Sequence, residues 1–298
     1  QFANPVLDQD FPDPDVLHVG DTYYAYATNA NSINIQVARS TNLVEWRILA
    51  DALPVLPPWA SPGNTWAPEV TTTTTGSYVM YFAARQAGGR FQCIGVATST
   101  EPQGPFRSRA TEPLICPLDE GGAIDPSSFT DDDGTRYVLW KNDGNCCGDA
   151  THLYLQKVSG DGLTLDGPPT ALVENDQTWE ADVVEAPTLV KHGGKYYLFY
   201  SANAYNTERY SVGYAEADSI TGPYRKATDP LLRSRLTRPP VVGPGGQDVV
   251  LDLKGRTWML YHAWDSTISY RTLNLDPLNW EGDKPVVQGP TRGPEQAP

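Results

Sequence analysis

Short runs of β-branched and aromatic residues, bounded by glycine, proline and asparagine, recur along the whole chain and read as strands. One unit returns five times, a glycine turn followed by an aromatic strand. It reads Gly20-Asp-Thr-Tyr-Tyr-Ala-Tyr26, Gly76-Ser-Tyr-Val-Met-Tyr81, Gly134-Thr-Arg-Tyr-Val-Leu-Trp140, Gly194-Lys-Tyr-Tyr-Leu-Phe-Tyr200 and Gly255-Arg-Thr-Trp-Met-Leu-Tyr261. The glycines stand 56, 58, 60 and 61 residues apart. A strand-like run precedes each copy, as in Asp15-Val-Leu-His-Val19 and Asp248-Val-Val-Leu-Asp-Leu253, and a third follows, as in Ile94-Gly-Val-Ala-Thr98. An aromatic after a turn closes four copies, at Trp46, Phe106, Tyr224 and Trp280.

Three to four antiparallel strands repeated five times predict an all-β chain folded as a single five-bladed β-propeller. A β-sandwich would not repeat one unit at this period. The blades fall at roughly 13–50, 66–112, 125–175, 185–235 and 247–285 within one catalytic domain spanning 1–298.

Composition adds exclusions. Hydrophobic residues make up 40% and aromatics 10%, enough for a packed core. With 22 basic and 36 acidic residues the net charge is −14, so nucleic acid and anionic membranes would repel the chain. No apolar run approaches the roughly 18 residues of a membrane span. The four cysteines, Cys93, Cys116, Cys146 and Cys147, contain no C-x-x-C pair, which argues against zinc. Cys93–Cys116 is the slightly favoured disulfide, both residues falling in the outer part of blade two. Cys146 and Cys147 then pair as neighbours, with a loop staple to Cys93 or Cys116 as the alternative. A first residue that is not Met, an acidic pI and few lysines point to a secreted, extracellular protein after signal removal, and a monomer is the expected state; four free thiols in a cytosolic protein is the competing picture.

In a propeller the innermost strands line a central channel, so residues at equivalent blade starts converge. Those starts read Asp13-Pro-Asp15, Trp66-Ala-Pro-Glu69, Asp125-Pro-Ser127, Glu185-Ala-Pro187 and Gln247-Asp248. Three carboxylates at one cavity repel one another, which a purely structural protein has no use for. Asp13, Asp125 and Glu185 are therefore the candidate catalytic acids. Glu180 and Asp182 compete with Glu185, and Asp131-Asp-Asp133 reads as a solvated hairpin tip.

At these residues the chain resembles glycoside hydrolase family 43, five-bladed propellers acting on arabinose- and xylose-containing polysaccharides. Phe11-Pro-Asp-Pro-Asp15 resembles the family's opening motif, Ala123-Ile-Asp-Pro-Ser127 its middle motif and Val184-Glu-Ala-Pro187 its general-acid motif. The resemblance makes Asp13 the general base, Glu185 the general acid, and Asp125 the residue that orients the acid and tunes its pKa. It also assigns Trp66 and Arg271 to sugar binding, beside which Phe11 and the loop residue Tyr205 stand as further candidates, and it implies inversion, with Asp13 and Glu185 roughly 6.5–9.5 Å apart to admit water. Many members carry Gly-His at the start of blade five, often beside a channel calcium or sodium ion. Here Gly243-Pro-Gly-Gly-Gln-Asp248 has no histidine, so the ion is in doubt, and no cofactor or metal ligand is assigned. His262 reads as a core histidine, with a share of the missing channel-histidine role as the alternative.

Arabinan or arabinoxylan oligosaccharide is the expected partner, and exo-acting α-L-arabinofuranosidase the favoured activity. Endo-arabinanase and β-xylosidase stay open. A propeller that merely binds glycans would need aromatic platforms but not three acids. The loops expected to wall the mouth are Pro54–Ala60 with Trp59, Asp143–Gly148, and Asn203–Asn206 with Tyr205.

Overall fold

The repeated glycine does the same local work five times in the computed structural model, which describes residues 1–298. Gly20, Gly76, Gly134, Gly194 and Gly255 have φ of +64°, +83°, +84°, +79° and +76°. Each lies in the hairpin between the first and second strands of a blade, where a side chain would be strained.

The hairpins build five antiparallel sheets. Blade one holds β1 (Asp15–Val19), β2 (Thr22–Ala27), β3 (Gln36–Ser40) and β4 (Arg47–Ile48), and blade two β5 (Ala60–Thr72), β6 (Tyr78–Gln86) and β7 (Gln92–Ser99). Blade three holds β8 (Ala123–Thr130), β9 (Arg136–Asn142), β10 (His152–Val158) and β11 (Leu165–Glu174). Blade four holds β12 (Val184–His192), β13 (Lys195–Ala202), β14 (Ser211–Ala217) and β15 (Arg225–Lys226). Blade five holds β16 (Val242–Leu251), β17 (Thr257–Trp264), β18 (Arg271–Glu281) and β19 (Lys284–Val287). Blade two lacks a regular fourth strand; only bridges from Ile94 to Ile115 and from Thr98 to Arg107 cover its outer edge.

Each blade packs on the next. Five buried clusters form the core, one per blade boundary, such as Tyr26, Val37 and Phe82 between blades one and two. Sheet faces covered on both sides explain strands that are continuously apolar, as in Tyr78–Ala84, rather than alternating. The ring closes through its ends: Phe2 and Glu295 exchange backbone hydrogen bonds, and Leu7 bridges Leu273 of β18. Asn4 donates to the Leu275 carbonyl and accepts from its N–H, both at 2.9 Å.

Two expectations fail in this packing. Trp59 does not wall the mouth: it is buried and stacks 6.0 Å from Phe82, against Gly95, which leaves room for the indole. Asp131 is more than a hairpin tip, because it accepts from Lys191 Nζ at 2.8 Å and Tyr196 OH at 2.6 Å, tying blade three to blade four.

Candidate active site

Each inner strand carries, at or just ahead of the stretch that lines the channel, a residue in the left-handed region: Asp13 (φ +54°), Ala67 (+43°), Asp125 (+53°), Ala186 (+51°) and Gly246 (+57°). For the four non-glycine residues this conformation costs of order 1–3 kcal/mol each, strain that concentrates at functional sites. In β5, β8, β12 and β16 the pairing register slips at this point. Such bulges re-aim side chains, here toward the channel mouth. Asp13 and Asp125 occupy the same position in their blades. Glu185 does not: it stands one residue earlier, level with Trp66, and Ala186 holds the position the acid was expected to share.

A cavity of about 330 Å³ opens above these starts. It brings together Asp13, Asp125, Glu185, Trp66, Tyr205 and Arg271, with Thr28, Asp143 and Cys146 beside them. Phe11 is absent. Its N–H donates to the Arg271 carbonyl at 2.8 Å, and its ring is fully buried between blades five and one. That pairing turns the side chain into the core, so Phe11 is no sugar platform. The Pro54–Ala60 loop contributes nothing to the lining.

Asp13 is held by four neighbours. Thr28 Oγ1 donates to Oδ2 at 2.7 Å, Arg271 lies 3.4 Å from Oδ1, and the Asp13 N–H donates to His262 Nδ1 at 3.1 Å. Gly246 completes the nest, since a Cβ there would meet His262 Nδ1 at 2.6 Å. Burial pushes the Asp13 carboxyl up, but the Arg271 charge and the Thr28 hydrogen bond hold it well below the usual carboxylate range. His262, fully buried, is pushed down to about 4 by burial and Arg271, and is neutral, as an acceptor of an N–H must be.

Glu185 has the opposite environment. Tyr210 OH donates to Oε1 at 2.8 Å and Lys141 Nζ stands 3.6 Å from Oε2. Burial raises the Glu185 carboxyl; Lys141 and Tyr210 pull it down, Asp13 and Asp143 push it up, and the net direction is upward. Asp125, whose Oδ2 accepts the Ala186 N–H at 2.8 Å, is raised further by burial and the Glu185 charge. Four carboxyl groups (Asp13, Asp125, Asp143 and Glu185) thus face two cations, Lys141 and Arg271, so the pocket retains protons while Asp13 stays ionised. Arg271 is itself clamped, 4.7 Å from the Tyr205 ring and 5.9 Å from that of Trp264.

A family model described as "Glycosyl hydrolases family 43" matches residues 2–285. The chain belongs to that family. A thermostable family-43 glycoside hydrolase of known crystal structure superposes with a TM-score of 0.90 at 33% identity, covering 100% of this chain and 99% of that one. A putative beta-xylosidase of Xylanibacter ruminicola is 28% identical over 92% of this chain, and the chain spans 49% of that relative's length. An extracellular exo-alpha-(1->5)-L-arabinofuranosidase of Cellvibrio japonicus is 26% identical over 92% of this chain and 85% of its own.

The family-43 resemblance raises a channel ion, and the residues bear on it. At the blade-five start Gln247 replaces the expected histidine, and its amide is fully engaged by Ser201 Oγ (2.6 Å), the Ala186 carbonyl (2.6 Å) and Thr188 Oγ1 (3.4 Å). The imidazole that lies nearby, His262, faces Asp13. A histidine-centred ion site does not fit. Below the mouth, Asp15, Glu69 and Asp248 instead accept the N–H groups of Val70, Ser128 and Val16, each in the next blade.

The rival acids also find their places. Glu180 is fully buried and accepts from Tyr200 OH, Lys226 Nζ and the N–H groups of Asp176 and Gln177, which fixes the loop ahead of Glu185. Asp182 is exposed in that loop. Sequence inspection missed Thr28, Lys141 and Tyr210 as site neighbours; Asp143 lies on a loop it expected at the mouth, and His262, read as a core histidine, is buried yet touches Asp13. A lysine ending an aromatic strand, in Trp140-Lys141, was the one available signal. Cys93 bonds Cys116 and Cys146 bonds Cys147, the second pair at the cavity rim.

Proposed function

We propose that this protein is a secreted, inverting glycosidase that releases terminal α-L-arabinofuranosyl units from arabinan or arabinose-containing polysaccharide as a monomer. The observation that carries the reading is the opposed environment of two carboxyls in one cavity, Asp13 held low and Glu185 held high. Environments that push two carboxyls apart define a base and an acid. In this scheme Glu185 gives its proton to the leaving glycosidic oxygen as the C–O bond breaks. Asp13 takes a proton from water attacking the opposite face of the anomeric carbon, so the configuration inverts. Asp125 orients the acid, Trp66 offers an apolar wall, and Arg271 donates to sugar hydroxyls. Tyr205 and the Asp143–Cys146 turn narrow the mouth, which favours one terminal sugar. Several relatives are named extracellular, in keeping with export.

Endo-arabinanase is the second reading, favoured by the inward turn of Trp59, which removes one expected wall. A panel of nitrophenyl α-L-arabinofuranoside, nitrophenyl β-D-xyloside and linear arabinan separates these outcomes. Arabinose as the sole early product from arabinan supports exo action; a ladder of oligosaccharides would replace it with endo action. Asp13→Asn or Glu185→Gln should lose roughly 10²–10⁴-fold in kcat with the fold intact, and near-normal turnover would defeat the assignment.

A further inference from the structure

Lys141 is wholly buried at the end of β9, a rare setting for an ammonium group. A lysine has three N–H donors. Asp143 Oδ1 at 3.2 Å and Asn145 Oδ1 at 2.5 Å take two, while Glu185 Oε2 stands at 3.6 Å, just outside hydrogen-bonding reach. The two acceptors sit on a turn braced by its own backbone. Cys147 N–H and Asp149 N–H both donate to the Gly144 carbonyl, Cys146 is bonded to Cys147, and a Cβ on Gly144 would meet the Ala150 carbonyl at 2.4 Å.

We propose that Lys141 is a positioning residue for the proton donor: Asp143 and Asn145 hold its ammonium near Glu185 without letting it bind. The proposal rests on the reading of Glu185 as the general acid. A closer ammonium would pin Glu185 as a carboxylate and spoil it as a donor. Without the ammonium, a buried carboxyl beside Asp125 and Asp13 would hold its proton too tightly to give it up. The groups facing Glu185 are Lys141 from β9, Asp143 from the turn, Asp125 from β8, Asp13 ahead of β1 and Tyr210 ahead of β14, with His262 and Arg271 behind Asp13. Of these, Lys141 is the nearest cation, and Asp143 opposes it. The directions agree: Lys141 lowers Glu185 and Asp143 raises it.

Two variants therefore move one proton in opposite directions. Lys141→Met should shift the alkaline limb of the kcat/KM profile on nitrophenyl arabinofuranoside upward by roughly 1–3 pH units. Asp143→Asn should shift it downward, because it removes a repelling charge and frees the ammonium to approach. The same shifts should appear for the Glu185 carboxyl in an NMR titration of ¹³C-glutamate-labelled protein, with Glu185→Gln assigning the signal. Limbs and titrations that coincide with wild type, at whatever lowered rate, would reduce Lys141 to a structural ion pair and overturn the proposal. Should Lys141→Met fail to fold, the downward shift in Asp143→Asn decides alone. A wild type that cleaves no glycoside would sink the functional reading, and the carboxyl titration would still judge the role of Lys141.

Discussion

Removing Glu180 should unfold the protein sooner without touching its chemistry, which separates this acid from Glu185. In Glu180→Ala the Tyr200 hydroxyl, the N–H groups of Asp176 and Gln177, and Lys226 all lose their acceptor. Breaking a buried ion pair by deleting one partner costs about 3–5 kcal/mol. Lys226 keeps Asp176 at 2.6 Å and the Glu174 carbonyl, so the lower end applies. At roughly 2.1 cal/mol/K per residue, unfolding 298 residues carries an entropy near 0.6 kcal/mol/K, and about 3 kcal/mol lowers Tm by ~5 °C. Thermal unfolding followed by near-UV circular dichroism measures this, alongside kcat at 25 °C. The expected pattern is a lowered Tm with kcat reduced less than about tenfold, whereas Glu185→Gln keeps its Tm and loses about 10²–10⁴-fold. An unshifted Tm with abolished turnover in Glu180→Ala would refute the structural role and make Glu180 the rival acid.

Two further outcomes follow from the channel and the Asp13 nest. Burial and the Asp248 charge raise Glu69 to about 7, and burial raises Asp248 to about 6, so the folded state binds protons that the unfolded chain has lost. Stability from such groups is complete below their unfolded values and is lost as pH climbs through the folded ones. Between pH 6.5 and 8.5 these two groups should therefore cost stability on the order of 1 kcal/mol, offset by about 0.4 kcal/mol because His262, neutral when folded, is half protonated at pH 6.5 in the unfolded chain. The fall should be shallower in Glu69→Gln, and a Tm that rises over this window would contradict the assignment. Gly246→Ala places a methyl against His262 Nδ1 and Asp13 at a φ of +57°; kcat should drop at least tenfold with KM less affected, and an unchanged kcat would show that the nest does not position Asp13.

The five-fold glycine–aromatic unit was legible because its causes are local. A hairpin glycine needs positive φ, and β-branched and aromatic residues suit a covered strand, so the repeat alone specified the blade count and the propeller. The blade-start acids were legible for the same reason: identical local units place equivalent residues at one mouth. What lay beyond the sequence was the register inside each start. One inserted residue flips every following side chain to the other face, and the bulges put Glu185 level with Trp66 rather than with Asp13 and Asp125. They also let Gln247 fill the channel while His262, sixteen residues after Gly246, reaches Asp13. Phe11 and Trp59 carried the chemistry of sugar platforms, yet the boundaries between blades had room for both rings and buried them. Lys141, Tyr210 and Thr28 came to the site from three different blades. Strand and turn are decided by a few neighbouring torsions, whereas the company a side chain keeps is decided by packing between blades that the chain visits some 60 residues apart.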